Sequence, residues 1–330
     1  MMRNFLFSVL VLTLITSCGD KKKSNEKFLP DASGAINNVS VVTENDLWDG
    51  RVGEAIRDVL ASPVYGLPQD EPIFNINQIP TNVFSGFITK NRTILIVDIG
   101  NESGIAFEND IYAQPQKVIK VSGKTKDDVI KLISENSARI IETFKGIEIK
   151  EKQRLIKKSL YNTKEIKENL GLDINFPTAY RITKTLATKE DKFYWMKRDI
   201  RTGYVNILLY ELPLKAIERD SNLIGQVIKI RDSIGKKYIG GPVDGSYMIT
   251  ENAYTPFHAE TILDNKPTLE TKGMWDVKNA VMAGPYINYA IEDKINNRWI
   301  IAEGFAFAPS VEKRNYMFEL EAIIKSIKIE

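Results

Sequence analysis

Cysteine and histidine are almost absent from this chain: its 330 residues include one of each, Cys18 and His258. A lone cysteine excludes an internal disulfide, so packing alone must hold the folded part together. A lone histidine excludes any site built on two imidazoles and leaves zinc hydrolase chemistry without its ligands. A Ser-His-Asp triad would have to use His258, which lies in Pro256-Phe257-His258-Ala259-Glu260, and no nucleophile-elbow motif occurs anywhere in the chain. His258 therefore reads as a structural or surface residue. An excess of charge of one sign is also missing, with 45 Lys+Arg against 43 Asp+Glu. Nucleic acid, which normally demands a strong basic patch, is not an expected partner. Gly240 to Gly245 is glycine-rich but lacks the Gly-Lys-Ser/Thr ending of a phosphate loop, so it reads as a turn. Neither a cofactor nor a metal is implied.

Long apolar runs are missing too. Phe5 to Ile15 spans only about 11 mostly apolar residues, short of the ~20 that a helix needs to cross a bilayer. With Arg3 before it and Ile15-Thr16-Ser17-Cys18 after it, the run reads as the core of a signal peptide covering residues 1–17. The setting of Cys18 resembles the lipobox of bacterial lipoproteins, and the resemblance implies a diacylglyceryl thioether on Cys18 with cleavage before it. A free thiol or an intermolecular disulfide is the other reading of a lone exported cysteine. Residues 18–35, polar and carrying Lys21-Lys22-Lys23, read as a lipidated flexible tether with a reach of roughly 20–25 Å.

What remains has the composition of a globular protein, 43% hydrophobic and 27% charged. Asn38 to Thr43 alternates as a strand does, and Trp48, Val52, Ile56 and Leu60 then recur at helical spacing. Ile73 to Ile79 and Thr93 to Ile99 read as strands, the second apolar enough for burial on both faces. Ile105 to Tyr112 and Lys117 to Val121 continue the sheet. Thr125 and Asp128 open a helix with a capping box, and its stripe runs Val129, Ile133, Ile140, Phe144 up to Gly146. Lys150 to Leu170, of mixed charge, reads as a solvated helix. The boundary falls near Gly171, giving α+β halves at 36–170 and 171–330, each expected to hold a mainly antiparallel sheet packed by helices. The second half alternates more strongly: strands at 180–187, 193–200, 204–212, 257–263, 268–277, 284–292 and 298–308, a helix at about 221–237, and a closing helix capped by Pro309-Ser310.

Three residues stand out as candidate binding positions. Arg298 to Ala308 has one face of Ile300, Ala302, Gly304, Ala306 and Ala308, small enough for close approach of a helix. Its other face carries Trp299, Ile301, Phe305 and Phe307, with Glu303 in the middle. A carboxylate there is either ion-paired, with Arg314 and then Lys313 as expected partners on the closing helix, or sits in a cleft with a raised pKa. Trp275 shares a face with Leu269, Thr271, Gly273 and Val277, where a core tryptophan is the ordinary outcome. Asp70 and Glu71 are neighbours on an extended stretch, which makes them a poor acid/base pair. No catalytic residue is assigned.

Several stretches together resemble the uncharacterised lipoprotein family called domain of unknown function 4837: Leu29-Pro30 with Ser33-Gly34, Gly66-Leu67-Pro68-Gln69-Asp70-Glu71-Pro72, Lys272-Gly273-Met274-Trp275, Ala283-Gly284-Pro285-Tyr286, and Glu303-Gly304-Phe305-Ala306-Phe307-Ala308-Pro309 before Lys313-Arg314. The resemblance implies a Bacteroidota-type envelope lipoprotein and carries over no catalytic residue. The order of strands before a closing helix that ends Lys325-Ser326-Ile327-Lys328-Ile329 is similar to the Mog1/PsbP-like α+β sandwich, an analogy of fold only. Two functions stay open. One is a non-catalytic binding or scaffold module, anchored by Cys18 to the outer membrane on its periplasmic side, with an envelope protein or glycan partner. The other is a carboxylate enzyme such as a glycan hydrolase, which needs two carboxylates facing one cleft about 5–9.5 Å apart.

Overall fold

The computed structural model describes residues 28–187 and 192–330. The expected signal peptide, Cys18, the lysine run and residues 188–191 lie outside the described residues.

The N-terminal half is built around β1 (Asn38–Val42), with β2 (Asn75–Ile79) on one side and β3 (Thr93–Ile99) on the other. Beyond β3 come β5 (Lys117–Gly123) and, at the edge, β4 (Gly104–Asn109). This corrects the expected antiparallel arrangement: β1 runs parallel to both neighbours, β3 parallel to β5, and only β4 is antiparallel. Apolar alternation reports which side chains are buried and is silent about strand direction. Direction is set by the connections, here the short α1 (Asn45–Trp48) and α2 (Arg51–Leu60), which carry the chain back so that β2 starts at the same end as β1. One face of the sheet packs on α2, α3 (Lys126–Glu135) and α4 (Ser137–Ile156) through Ile56, Val129 and Phe144. Loops cover the other face over Ile94 and Val118, so β3 is buried on both sides as its composition predicts.

Several local readings change. The Thr125–Asp128 capping box is present, but the helix breaks at Asn136, while α4 passes through Gly146 without interruption. Part of the expected tether is docked: Ala32 N donates to Gln114 O and Arg92 N to Ser33 O, so residues 30–35 lie along the N-terminal half. Backbone hydrogen bonds need no apolar side chains, which is why the polar composition did not reveal them. The mixed-charge stretch is the end of α4 followed by α5 (Lys164–Leu170), and its charges are not all solvated: Glu151 lies largely buried near Arg92 and Lys152 pairs with Glu319. Just upstream on α4, Glu148 is fully buried and takes both its oxygens to Arg92, at 2.9 and 3.0 Å.

The C-terminal half is an antiparallel sheet. It runs β10 (Tyr247–Thr250), β12 (Lys266–Lys278), β13 (Ala283–Asp293), β14 (Arg298–Phe307), β9 (Gly203–Pro213), β8 (Lys192–Ile200), β7 (Arg181–Ala187). β11 (Phe257–Leu263) also pairs with β12. The α+β class and the predominance of antiparallel pairing are thus as expected. A two-stranded ribbon, β6 (Leu172–Asp173) with β15 (Lys328–Ile329), ties the chain end to the start of this half. The two faces of β14 sort as their side chains demand. The large face packs into a core with Trp275 and α6 (Leu223–Tyr238), and the small face lies under α7 (Arg314–Ile324). A Cβ on Gly304 would stand 2.9 Å from Leu320 Cβ, so only glycine lets α7 come this close.

Candidate functional site

The two halves meet at the loop between α2 and β2. Gly66 holds a left-handed φ of +86°, and a Cβ there would meet Gly273 N at 3.1 Å and Lys272 Cβ at 3.3 Å. The loop therefore lies flat on β12, and Gly66 N donates to the Tyr254 hydroxyl at 3.0 Å. Leu67 is buried in the C-terminal core. Five residues from Gly66, Glu71 is 5% exposed and takes Lys313 N at 2.7 and 3.0 Å and Arg314 N at 2.8 Å. A carboxylate at this place neutralises the positive end of the helix dipole and satisfies N–H groups that lack intrahelical partners. Glu71 thus takes the capping role expected of Pro309-Ser310; Ser310 sits at φ +63°, and Lys313 is the N-cap with no side-chain cap of its own. The Arg314 side chain answers from the other side, donating to Pro72 O at 2.9 Å and Asn75 Oδ1 at 3.1 Å.

Gly66, Leu67 and Arg314 of this clasp also line a cleft of about 660 Å³ between α4, the α2–β2 loop, β12, β13 and α7. Val64, Leu67, Ile141, Ile287, Met317 and Phe318 make its wall mostly apolar. At its margin Tyr65, two-thirds exposed, stacks on Phe257 at 4.9 Å and 11°. The polar lining is a charge cluster on the apolar background. Lys145 of α4 and Lys325 both reach Glu321 Oε1 at 2.7 Å, and Lys272 pairs with Glu270. Burial alone would raise the Glu321 carboxyl, but Lys145, then Lys272 and Lys325, outweigh it and hold it well below the usual range. Burial lowers the Lys145 ammonium, helped by Lys272 and Lys325, and Glu321 recovers only part of the loss. Arg314, also lining the cleft, has neutral acceptors and no carboxylate within ion-pair distance among the described residues.

Of the residues singled out in sequence, Arg314 alone lines this cleft. Trp275 is 2% exposed in the core and donates Nε1–H to Ala306 O at 3.2 Å. Glu303, 1% exposed, lies on the α6 side of the sheet and is ion-paired, but with neither Arg314 nor Lys313: its Oε1 is 2.9 Å from Arg231 Nε on α6. The large face of β14 points toward α6 while α7 covers the small face, so a cation on the closing helix is on the wrong side. Glu303 ends a polar row across four strands, His258 opposite Thr271, Thr271 opposite Asn288, and Asn288 opposite Glu303. Asn288 Nδ2 donates to Glu303 Oε2 at 3.0 Å, and His258 Nδ1 lies 3.3 Å from Thr271 Oγ1. Burial pushes the Glu303 carboxyl up against the opposing pull of Arg231 and Asn288. Glu71, Lys145, Lys272 and Glu321 were not anticipated. For Glu71 the sequence offered no signal, since Ser310 supplied a local capping candidate and the carboxylate lies 242 residues from the N–H group it accepts from.

Comparison with solved structures yields LpqN of Mycobacterium tuberculosis, titled as involved in cell envelope biogenesis, at 11% identity over 48% of this chain and 82% of that one. Its TM-score of 0.27 is too low to bear on fold or function. No curated protein matches. Residues 32–157 match a domain of unknown function designated DUF8532, which takes in the Gly66–Pro72 stretch. Residues 159–326, more than half of the chain, match the domain of unknown function designated DUF4837, and the chain belongs to that family.

Proposed function

We propose that this protein is a lipid-anchored module of the cell envelope, held at the outer membrane by Cys18 and facing the periplasm, whose folded part binds a ligand without transforming it. The observation that carries the binding reading is the cleft of about 660 Å³ between the halves, within the ~300–1,000 Å³ range of small-molecule sites and mostly apolar with a few convergent charges. The electrostatics weigh against the carboxylate-enzyme alternative. Of the two carboxylates lining the cleft, Glu142 and Glu321, the second is held ionised by three lysines and cannot act as a general acid near neutral pH. The carboxyls raised by burial, Glu148 and Glu303, are each bonded to an arginine and lie outside the cleft.

Two measurements test this. For the anchor, Cys18→Ala is expected to leave the membrane fraction after a high-salt wash, since acyl chains supply about 0.8 kcal/mol per buried CH₂. Equal retention of the variant refutes anchoring. For the binding module, an organic extract of envelopes is expected to raise the melting midpoint of the purified protein and be recovered chemically unchanged. Turnover of a component refutes the non-catalytic reading, and no rise refutes binding.

A further inference from the structure

The cations around the cleft are unevenly paired. Among the described residues Lys145, Lys272 and Lys325 form ion pairs only with Glu321 and Glu270 and Arg314 with none; Glu142 also lines the cleft but is exposed and pairs with none of the four, and Glu71 is taken by three backbone N–H contacts of α7. Lys145 and Lys325 share one oxygen of one carboxylate, and the Arg314 guanidinium, 6% exposed as a residue, is satisfied by neutral acceptors alone. A buried guanidinium with no carboxylate, beside two partly exposed lysines that share one, lacks an anion of its own. Beside them lies an apolar wall with no charge of its own, from Val64 through Ile141 to Met317. Burial, helped by Lys272 and Lys325, lowers the Lys145 ammonium against the pull of Glu321, whereas at Lys272 the pull of Glu321 and Glu270 outweighs burial.

We infer that the cleft takes a single-chain amphiphile with one anionic head group, its hydrocarbon tail along the apolar wall and its head at Lys145, Lys272 and Arg314. The inference rests on the binding role proposed above and specifies its ligand class. A hydrocarbon chain fits the side chains of Val64, Leu67, Ile141, Ile287, Met317 and Phe318, which offer no hydrogen bond, whereas a glycan laid along them would leave hydroxyls unpaired. A carboxylate or phosphate head supplies the missing anion, and its gain over an uncharged head is that of charge-assisted hydrogen bonds, about tenfold or more in affinity.

The test uses the full chain carrying Cys18→Ala, so that no attached acyl chain competes, with isothermal titration of dodecanoate, dodecyl phosphate, dodecanol and acetate. The expected result is tight binding of dodecanoate, dodecyl phosphate or both, about tenfold or more weaker binding of dodecanol, and none of acetate. Whichever of the two anions binds more tightly identifies the head group. Lys145→Gln is expected to close the gap between dodecanoate and dodecanol; Lys325 remains to hold Glu321, and a melt checks the fold. Ala138→Trp, placed on the exposed lining of α4, is expected to block all three amphiphiles. Equal binding of dodecanol and both anions by the unsubstituted cleft overturns the inference without recourse to any variant, as does acetate binding as tight as dodecanoate. If no amphiphile binds while the envelope extract still raises the melting midpoint, this inference falls and the binding module stands; if the extract also fails, both fall.

Discussion

Exchanging Glu321 for glutamine keeps the shape of the side chain and removes the one carboxylate that Lys145 and Lys325 share at 2.7 Å. Taking one member from a fully buried pair costs about 3–5 kcal/mol, because the partner is left charged and unpaired. Here the lysine side chains are 27% and 34% exposed and can turn partly to water, so the expected loss at neutral pH is about 2–4 kcal/mol. For a protein of this size that is a fall of roughly 3–6 °C in midpoint. The pH dependence has a definite sign. The carboxyl is held well below its ordinary value, so its stabilisation is fully present above the unfolded pKa of about 4.3 and is lost as pH falls from there through the folded value. The difference between parent and variant should therefore be constant from pH 7 to about 5 and shrink steadily below about 4. Urea titration followed by tryptophan fluorescence measures it, since three of the four tryptophans, Trp195, Trp275 and Trp299, lie in the C-terminal half. A variant as stable as the parent at pH 7, or a difference that does not change on acidification, refutes the reasoning.

Glu71→Ala removes the acceptor of three hydrogen bonds at the start of α7 and should destabilise by about 2–3 kcal/mol, above the usual ~1 for an N-cap, with faster amide exchange at Lys313 and Arg314; unchanged exchange at those two amides contradicts the capping role. Gly304→Ala drives a methyl to within 2.9 Å of Leu320 Cβ and should cost about 1–3 kcal/mol, part of it recovered by adding Leu320→Ala; a chemical denaturation series that finds no cost would mean α7 shifts freely over β14. Arg231→Met leaves Glu303 buried without its cation, so the variant should lose about 3–5 kcal/mol at pH 7. The loss of this cation raises the folded-state pKa of Glu303 further above the unfolded value, so the deficit should ease as pH falls and the carboxyl protonates; a deficit that is the same at pH 5 and pH 8 argues against this pairing.

What was legible in the sequence is what depends on near neighbours. The faces of β14, the small-residue seat for a helix, the Thr125 box and the core place of Trp275 all follow from side-chain alternation within a single element. Strand direction in the N-terminal half was not legible, because a strand buried on both faces reads the same whichever way it runs. Glu303 was correctly read as a candidate for ion pairing, and its partner was not found. The choice between Arg231 and Arg314 depends on which helix covers which face, and nothing within β14 encodes that. Glu71 shows the same limit more sharply, since it acts on a helix 242 residues away.

The stretches that carry the family resemblance gain a common meaning only when the halves are put together. Gly66 lies on Lys272 and Gly273, Leu67 fills the C-terminal core, Glu71 caps Lys313 and Arg314, and Arg314 returns to Pro72. Each contact joins the α2–β2 loop to the C-terminal sheet or its closing helix, and Gly66, Leu67, Lys272 and Arg314 also line the cleft. The clasp that orients one half against the other is therefore also a wall of the cleft. A ligand that bridges Lys145 on α4 with Lys272 on β12 adds one more contact across that boundary, and by linkage it must stabilise the relative placement of the halves as much as that placement favours its binding.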